Sequence, residues 1–146
     1  MNSLPEHSPL GGSGISRWTN CPGSYALINQ MAKGDTPEED PEHTREGTAA
    51  HHIIEQCLTT GAETWEFIHS TIEGIKIKPD FIDGPQLFID HVRPLIDGAE
   101  AVYVEYRISS PIHPLFYGKV DLAVVKEGVL YVRDYKNGAG VLVDKH

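Results

Sequence analysis

With 146 residues, 40% of them hydrophobic, the chain has enough apolar material for one globular core. It carries 12 Lys and Arg against 21 Asp and Glu, a formal net charge of −9 that argues against extended binding along nucleic acid, where phosphate affinity comes from basic side chains. Two cysteines exclude a disulfide scaffold and a four-cysteine cluster, no apolar run approaches the ~20 residues of a membrane span, and no apolar leader opens the chain, so the expectation is a cytoplasmic protein with no membrane partner.

Residues 1–14 read as a flexible arm, with Gly11, Gly12 and Gly14 preventing regular structure. Residues 15–146 read as one domain. Ser13 or Ser16 can cap a short helical turn through Trp18. Pro22 suits the first position of a helix to about Ala32, where Tyr25, Ile28 and Met31 form a stripe and Gly34 is the stop. The acidic, proline-containing stretch from Asp35 to His43 reads as a loop. Thr44 is the predicted cap of a clear amphipathic helix, with Ala50, Ile53, Ile54, Cys57 and Leu58 on one face and Gly61 at its end. Trp65 to Thr71 is a short helix or strand. Gly74 to Lys78 alternates as an edge strand, and Asp83-Gly84-Pro85 opens a helix with the stripe Phe88, Ile89, Val92, Leu95 and Ile96 and a kink expected at Pro94.

From Ala101 the hydrophobic period changes to two. Ala101–Ile108, Leu115–Val125 and Val129–Tyr135 are the predicted strands, the last two joined by a hairpin turn at Lys126-Glu127-Gly128. The fold class is therefore α+β, N-terminal helices packed on a three-stranded antiparallel meander. The Thr44–Gly61 helix is the expected cover for one sheet face.

The chemistry concentrates in the hairpin. Residues two apart on a strand share a face, so Asp134 and Lys136 project together and Tyr135 projects away. A carboxylate there can bind a hard divalent cation, and an ammonium beside it can offset charge at a reacting phosphate. A turn centred on Glu127 predicts Asp121 opposite about Arg133, one residue from Asp134. An isolated Asp-x-Lys is more often a surface salt bridge; the Gly118-Lys119-Val120-Asp121 run upstream strengthens the metal reading. His51 sits at the border of the helix stripe, where it can face a polar cleft or be a satisfied core-edge histidine. Glu46, in the first turn, is favoured by the helix dipole whatever else it does. Glu105, between apolar strand neighbours, needs a partner or a metal.

The ordered segments Glu46-Gly47-Thr48-Ala49-Ala50-His51, Gly118-Lys119-Val120-Asp121 and Asp134-Tyr135-Lys136 resemble the motif set of RecB-like PD-(D/E)XK nucleases. The Ser16-Arg17-Trp18…Cys21-Pro22-Gly23-Ser24 opening and the Asp134-Tyr135-Lys136-x-Gly-x-Gly ending look like a phage- and prophage-associated branch of that superfamily. The resemblance implies a restriction-endonuclease-like core and a Mg²⁺- or Mn²⁺-dependent enzyme that cleaves DNA during phage DNA processing in the host cytoplasm. It implies His51, Asp121, Asp134 and the Tyr135 carbonyl as metal ligands, with Glu105 as a further candidate. Lys136 would be the catalytic lysine and Glu46 an accessory acid. The family pattern continues with a Gln-x-x-x-Tyr helix and a further strand that do not follow Lys136 here, so the core is expected to be C-terminally truncated and completed by a second copy or another chain. The acidic balance supports an alternative, a catalytically inactive nuclease-fold protein that partners DNA-processing proteins.

Overall fold

The computed structural model describes residues 8–31 and 41–137. The loop expected from Asp35 lies mostly outside these residues, as do Gly34 and the chain after Asn137. Helices precede a three-stranded antiparallel sheet of order β3-β4-β5, the α+β layout expected from the change of period. By compactness the chain forms two units: Met1–Glu39 with Tyr106–Val120, and Asp40–Glu105 with Asp121–His146.

In the first unit α1 (Ile15–Asn20) follows a 3₁₀ turn over Gly12–Gly14, and α2 (Ser24–Met31) follows it. Helix α2 begins at Ser24, leaving Pro22 and Gly23 as the turn before it. The outer ends of β3 and β4 and their connecting loop complete the unit. There Trp18 meets Phe116 edge to face at 5.9 Å, the Ser8 hydroxyl donates to the Leu115 carbonyl (2.5 Å), and the Arg107 guanidinium lies 4.0 Å over the Tyr117 ring.

The second unit is built on α3 (Glu42–Thr60) and α4 (Asp83–Ile96). Helix α3 starts earlier than Thr44 because the Pro41 carbonyl accepts from both the Thr44 and Arg45 amides. It ends where expected, on Gly61 in a left-handed conformation (φ 78°), whose N–H returns to the Cys57 carbonyl. Between the helices, Thr64–Phe67 is a 3₁₀ turn closed by a reciprocal capping box of Glu63 and Glu66. A small hairpin then pairs β1 (Thr71–Ile72) with β2 (Ile75–Lys76). Its turn residues, Glu73 and Gly74, both have positive φ (50° and 74°). Pro94 occupies the last turn of α4, where the Lys126 ammonium donates to the Pro94 and Asp97 carbonyls at 2.9 and 2.7 Å and so closes the helix end.

The sheet consists of β3 (Ala101–Ser109), β4 (Tyr117–Lys126) and β5 (Val129–Arg133). Strands β4 and β5 pair from Lys126↔Val129 to Leu122↔Arg133, across a turn whose residues Glu127 and Gly128 have φ 54° and 72°. Two residues at positive φ define a two-residue hairpin turn, which shifts the expected register by one: continuing the ladder sets Asp121 opposite Asp134 rather than Arg133. Strand β5 stops at Arg133, two residues short of expectation.

Helix α3 divides its apolar face. Ala49, Ile53 and Cys57 pack with Ile75, Ile77 and Ile89, while Ala50 and Ile54 pack with Tyr135. The sheet core of Leu122 and Val124 is covered by Val92, Phe88, Leu95 and Ile96 of α4, with Leu58 of α3 at its margin. The chief cover of the sheet is thus α4, the helix whose stripe presents bulkier side chains, and α3 is left free to carry a polar residue toward the strands. No helix among the described residues is long and apolar enough to cross a membrane.

Candidate metal centre

His51 follows Ala50 on α3 and sits three residues before Ile54, at the edge of the face that packs on Tyr135. That phase leaves the imidazole half-buried and beside the middle of two strands, β3 and β4. Its Nδ1 lies 3.1 Å from Glu105 Oε1 and 3.7 Å from Asp121 Oδ2. One donor atom from each of the three residues lies within 4.8 Å of the others. The carboxylate side chains are only 8% and 11% exposed, so two acids share a water-poor site with one imidazole.

Each side chain is held there by a separate device. Glu105 follows Val104, which packs into the sheet core, and in a regular strand it would point the other way. Its backbone is left-handed (φ 48°), which interrupts the alternation and lets the carboxylate meet His51. Asp121 begins a run of four successive buried positions to Val124, and its Oδ2 accepts the Tyr135 N–H at 2.7 Å. The Tyr135 ring stands edge-on to His51 at 5.5 Å and to Phe88 at 5.6 Å, fixing the imidazole plane from behind. Gly84 makes room for this ring: a β-carbon at that position would stand 2.6 Å from the Tyr135 hydroxyl.

Burial pushes the Asp121 carboxyl above its ordinary pKa, and the neighbouring charges of Asp134 and Glu105 push the same way. The Tyr135 N–H and His51 pull it down, and burial outweighs them. A cation between the acids would relieve this strain directly. The donor set fits one: ligands at about 2.0–2.2 Å from a single ion stand roughly 3 Å apart when at right angles, and the His51 nitrogen stands 3.1 and 3.7 Å from the two carboxylates. Two carboxylates favour a hard ion and the imidazole a softer one, a combination that suits Mn²⁺ with Mg²⁺ and Zn²⁺ on either side.

The other sequence candidates lie elsewhere. Asp134 and Lys136 do project together, and they pair with each other at 2.7 Å, with side chains 56% and 81% exposed. They sit in the irregular stretch after β5, so the Asp134 carboxylate is outside the cluster although its charge reaches Asp121. Tyr135 contributes its N–H and its ring to the site. Glu46 is five residues before His51, about 140° around the helix, and lines a separate groove with Lys76, Lys78 and Asp80. The supporting roles of Phe88 and Gly84 were not anticipated; the Gly84-Pro85 pair announced only a helix start.

The fold and site therefore define an α+β protein with a partly buried imidazole–dicarboxylate cluster at the junction of a helix and two strands. Over residues 7–146 the chain matches the family described as a protein of unknown function (DUF2800), and it belongs to that family. No solved structure matches it.

Proposed function

We propose that this protein is a divalent-metal-dependent DNA phosphodiesterase, a RecB-like nuclease of the PD-(D/E)XK type acting in phage DNA processing. The observation that carries the proposal is the convergence of His51, Glu105 and Asp121 from one helix and two strands onto a single cation-sized space. The motif order described above, ending in Asp134-Tyr135-Lys136, supports the same reading, and so does the succession of helices and antiparallel strands.

In hydrolysis a water oxygen bonds to phosphorus, the bridging P–O bond breaks, and the departing alkoxide takes up a proton as the water loses one. A Mg²⁺ or Mn²⁺ held by Asp121, Glu105 and His51 would supply an acidified water and neutralise phosphate charge. Asp121 and Glu105 would balance the ion's charge in a site that excludes bulk water. Tyr135 keeps His51 and Asp121 in position through its ring and its N–H. Lys136 reaches a phosphate oxygen only by turning from Asp134, an exchange with little barrier for two exposed side chains.

The test incubates linear and circular DNA with the protein and Mn²⁺, beside Asp121→Asn and Glu105→Gln. Metal-dependent cleavage by the native chain and its loss in both variants is the expected result; calorimetry should show Mn²⁺ affinity falling about tenfold or more in each. A second reading, the inactive binding partner, draws support from the exposed Asp134–Lys136 pair, whose ammonium is engaged by Asp134 at 2.7 Å. Mn²⁺ binding without cleavage selects that reading.

A further inference from the structure

Beside the metal centre, and built partly from the same residue, lies a cleft of about 540 Å³ that the hydrolytic reading does not use. Gly84, Leu87, Phe88 and His91 of α4 form one side, and Tyr135, Lys136 and Asn137 the other. Leu87 is 73% exposed and, with half-buried Phe88, gives the cleft an apolar wall open to solvent. Lys136, His91 and Asn137 add an ammonium, an imidazole and an amide to the lining.

We infer that this cleft is a nucleobase pocket, and that single-stranded rather than duplex DNA is the substrate class of the proposed site. The inference rests on the nuclease reading and names what that site would accept. A mainly apolar lining with a few hydrogen-bonding groups suits the face and edge of a heteroaromatic base. The volume lies within the range of roughly 300–1,000 Å³ typical of pockets for such ligands. In a duplex both faces of each base are stacked on neighbours, so only an unstacked base can lie against Leu87 and Phe88.

Charge argues the same way. Duplex affinity is built from many phosphate contacts, and a chain of net charge −9 is poorly supplied for them. A base pocket with one ammonium at its rim needs a single phosphate. Tyr135 ties the pocket to the metal centre, since its ring lines the cleft, stands edge-on to His51, and its N–H holds Asp121. A base seated here places its adjoining phosphate beside Lys136. Asp134 opposes that phosphate, because its carboxylate already occupies the ammonium at 2.7 Å.

The test is fluorescence anisotropy of the full chain with a labelled ten-base oligothymidylate and with a duplex of equal length, both in EDTA so that nothing is cleaved. The single strand should bind about tenfold more tightly than the duplex. Leu87→Ser and His91→Ala should each weaken it severalfold to about tenfold, in line with one lost stacking contact, and Asp134→Asn should strengthen it. The logarithm of affinity should fall with the logarithm of salt with a slope of roughly −0.7, one phosphate's worth for a single strand. Leu87 is exposed, so Leu87→Ser should retain the native thermal melt, which is checked first. Preference for duplex, no measurable single-strand binding, or a single-strand affinity indifferent to Leu87→Ser overturns the inference. Single-strand binding that depends on Leu87 without any Mn²⁺-dependent cleavage defeats the nuclease reading and keeps the pocket. Cleavage that ignores Leu87→Ser does the reverse.

Discussion

Two groups of ionisable side chains in the second unit invite comparison. Asp134 and Lys136 are two residues apart in sequence and form a short, exposed pair beside the candidate site. His51, Glu105 and Asp121 come from α3, β3 and β4 and meet in a space nearly closed to solvent. The first pair resembles many surface ion pairs, whose contribution is small because water and salt screen it. In the second group, desolvation makes every charge expensive unless it is matched, and His51 and the Tyr135 N–H stand against the two acids. Local spacing is a poor guide to chemistry; convergence of side chains from distant segments into low dielectric is a better one.

The sharpest way to break this contrast is through Tyr135, which is buried and adjoins both groups. Tyr135→Ala removes its ring from between Phe88, Ala50 and Ile54 and should cost about 3–5 kcal/mol in urea unfolding. It should also weaken Mn²⁺ binding, because His51 loses the edge-on ring that holds its plane. Unchanged Mn²⁺ affinity in a folded Tyr135→Ala would show that the centre is organised without it.

A smaller effect separates metal from no metal. Burial raises the Asp121 carboxyl above its unfolded value, so its contribution to stability is fully present below the ordinary carboxylate pKa of about 3.9 and is lost as pH rises through the elevated folded value. Without metal, Asp121→Asn removes that pH-dependent loss while still accepting the Tyr135 N–H. Its melting temperature should therefore exceed the native one by a few degrees at pH 8, and the two should converge near pH 4. Saturating Mn²⁺ should reverse the order at pH 8, since only the native centre gains from binding. A melt that ranks the two alike with and without Mn²⁺ would remove the cluster from metal binding.

The smallest effect belongs to the exposed pair. Lys136→Ala or Asp134→Ala should shift unfolding by no more than about 0.5 kcal/mol and leave Mn²⁺ affinity within about threefold. A large loss of Mn²⁺ affinity in Asp134→Ala would mean that Asp134 turns inward on binding and joins the cluster.

The helices and strands were legible because their patterns are local. The α3 stripe and its Gly61 stop, the α4 stripe, and the change to alternation at Ala101 each follow from burying one face. Register was misjudged by one because Glu127 adopts a positive φ that its residue type does not announce, making the turn two residues long. Asp121 and His51 could be read from their apolar settings. Glu105 stood as a lesser candidate, because an acid between Val104 and Tyr106 signals a need without naming its partner, and its inward turn depends on a backbone conformation invisible in composition. Glu46 illustrates the opposite failure: its place in an ordered motif suggested proximity, while helical geometry carries it away from His51.

The left-handed backbone at Glu105 has a further consequence. Glycine adopts that conformation freely, and asparagine with less strain than a longer side chain, so a chain selected for stability alone has a simple improvement available there. Keeping glutamate at position 105 forgoes about 1–3 kcal/mol of relief and retains a carboxylate beside His51 and Asp121. A stability screen over this protein should therefore return substitutions at residue 105 among its gains, and if the proposed metal site is right those same variants should lose Mn²⁺ affinity in calorimetry. The position marks where selection for folding and selection for chemistry disagree.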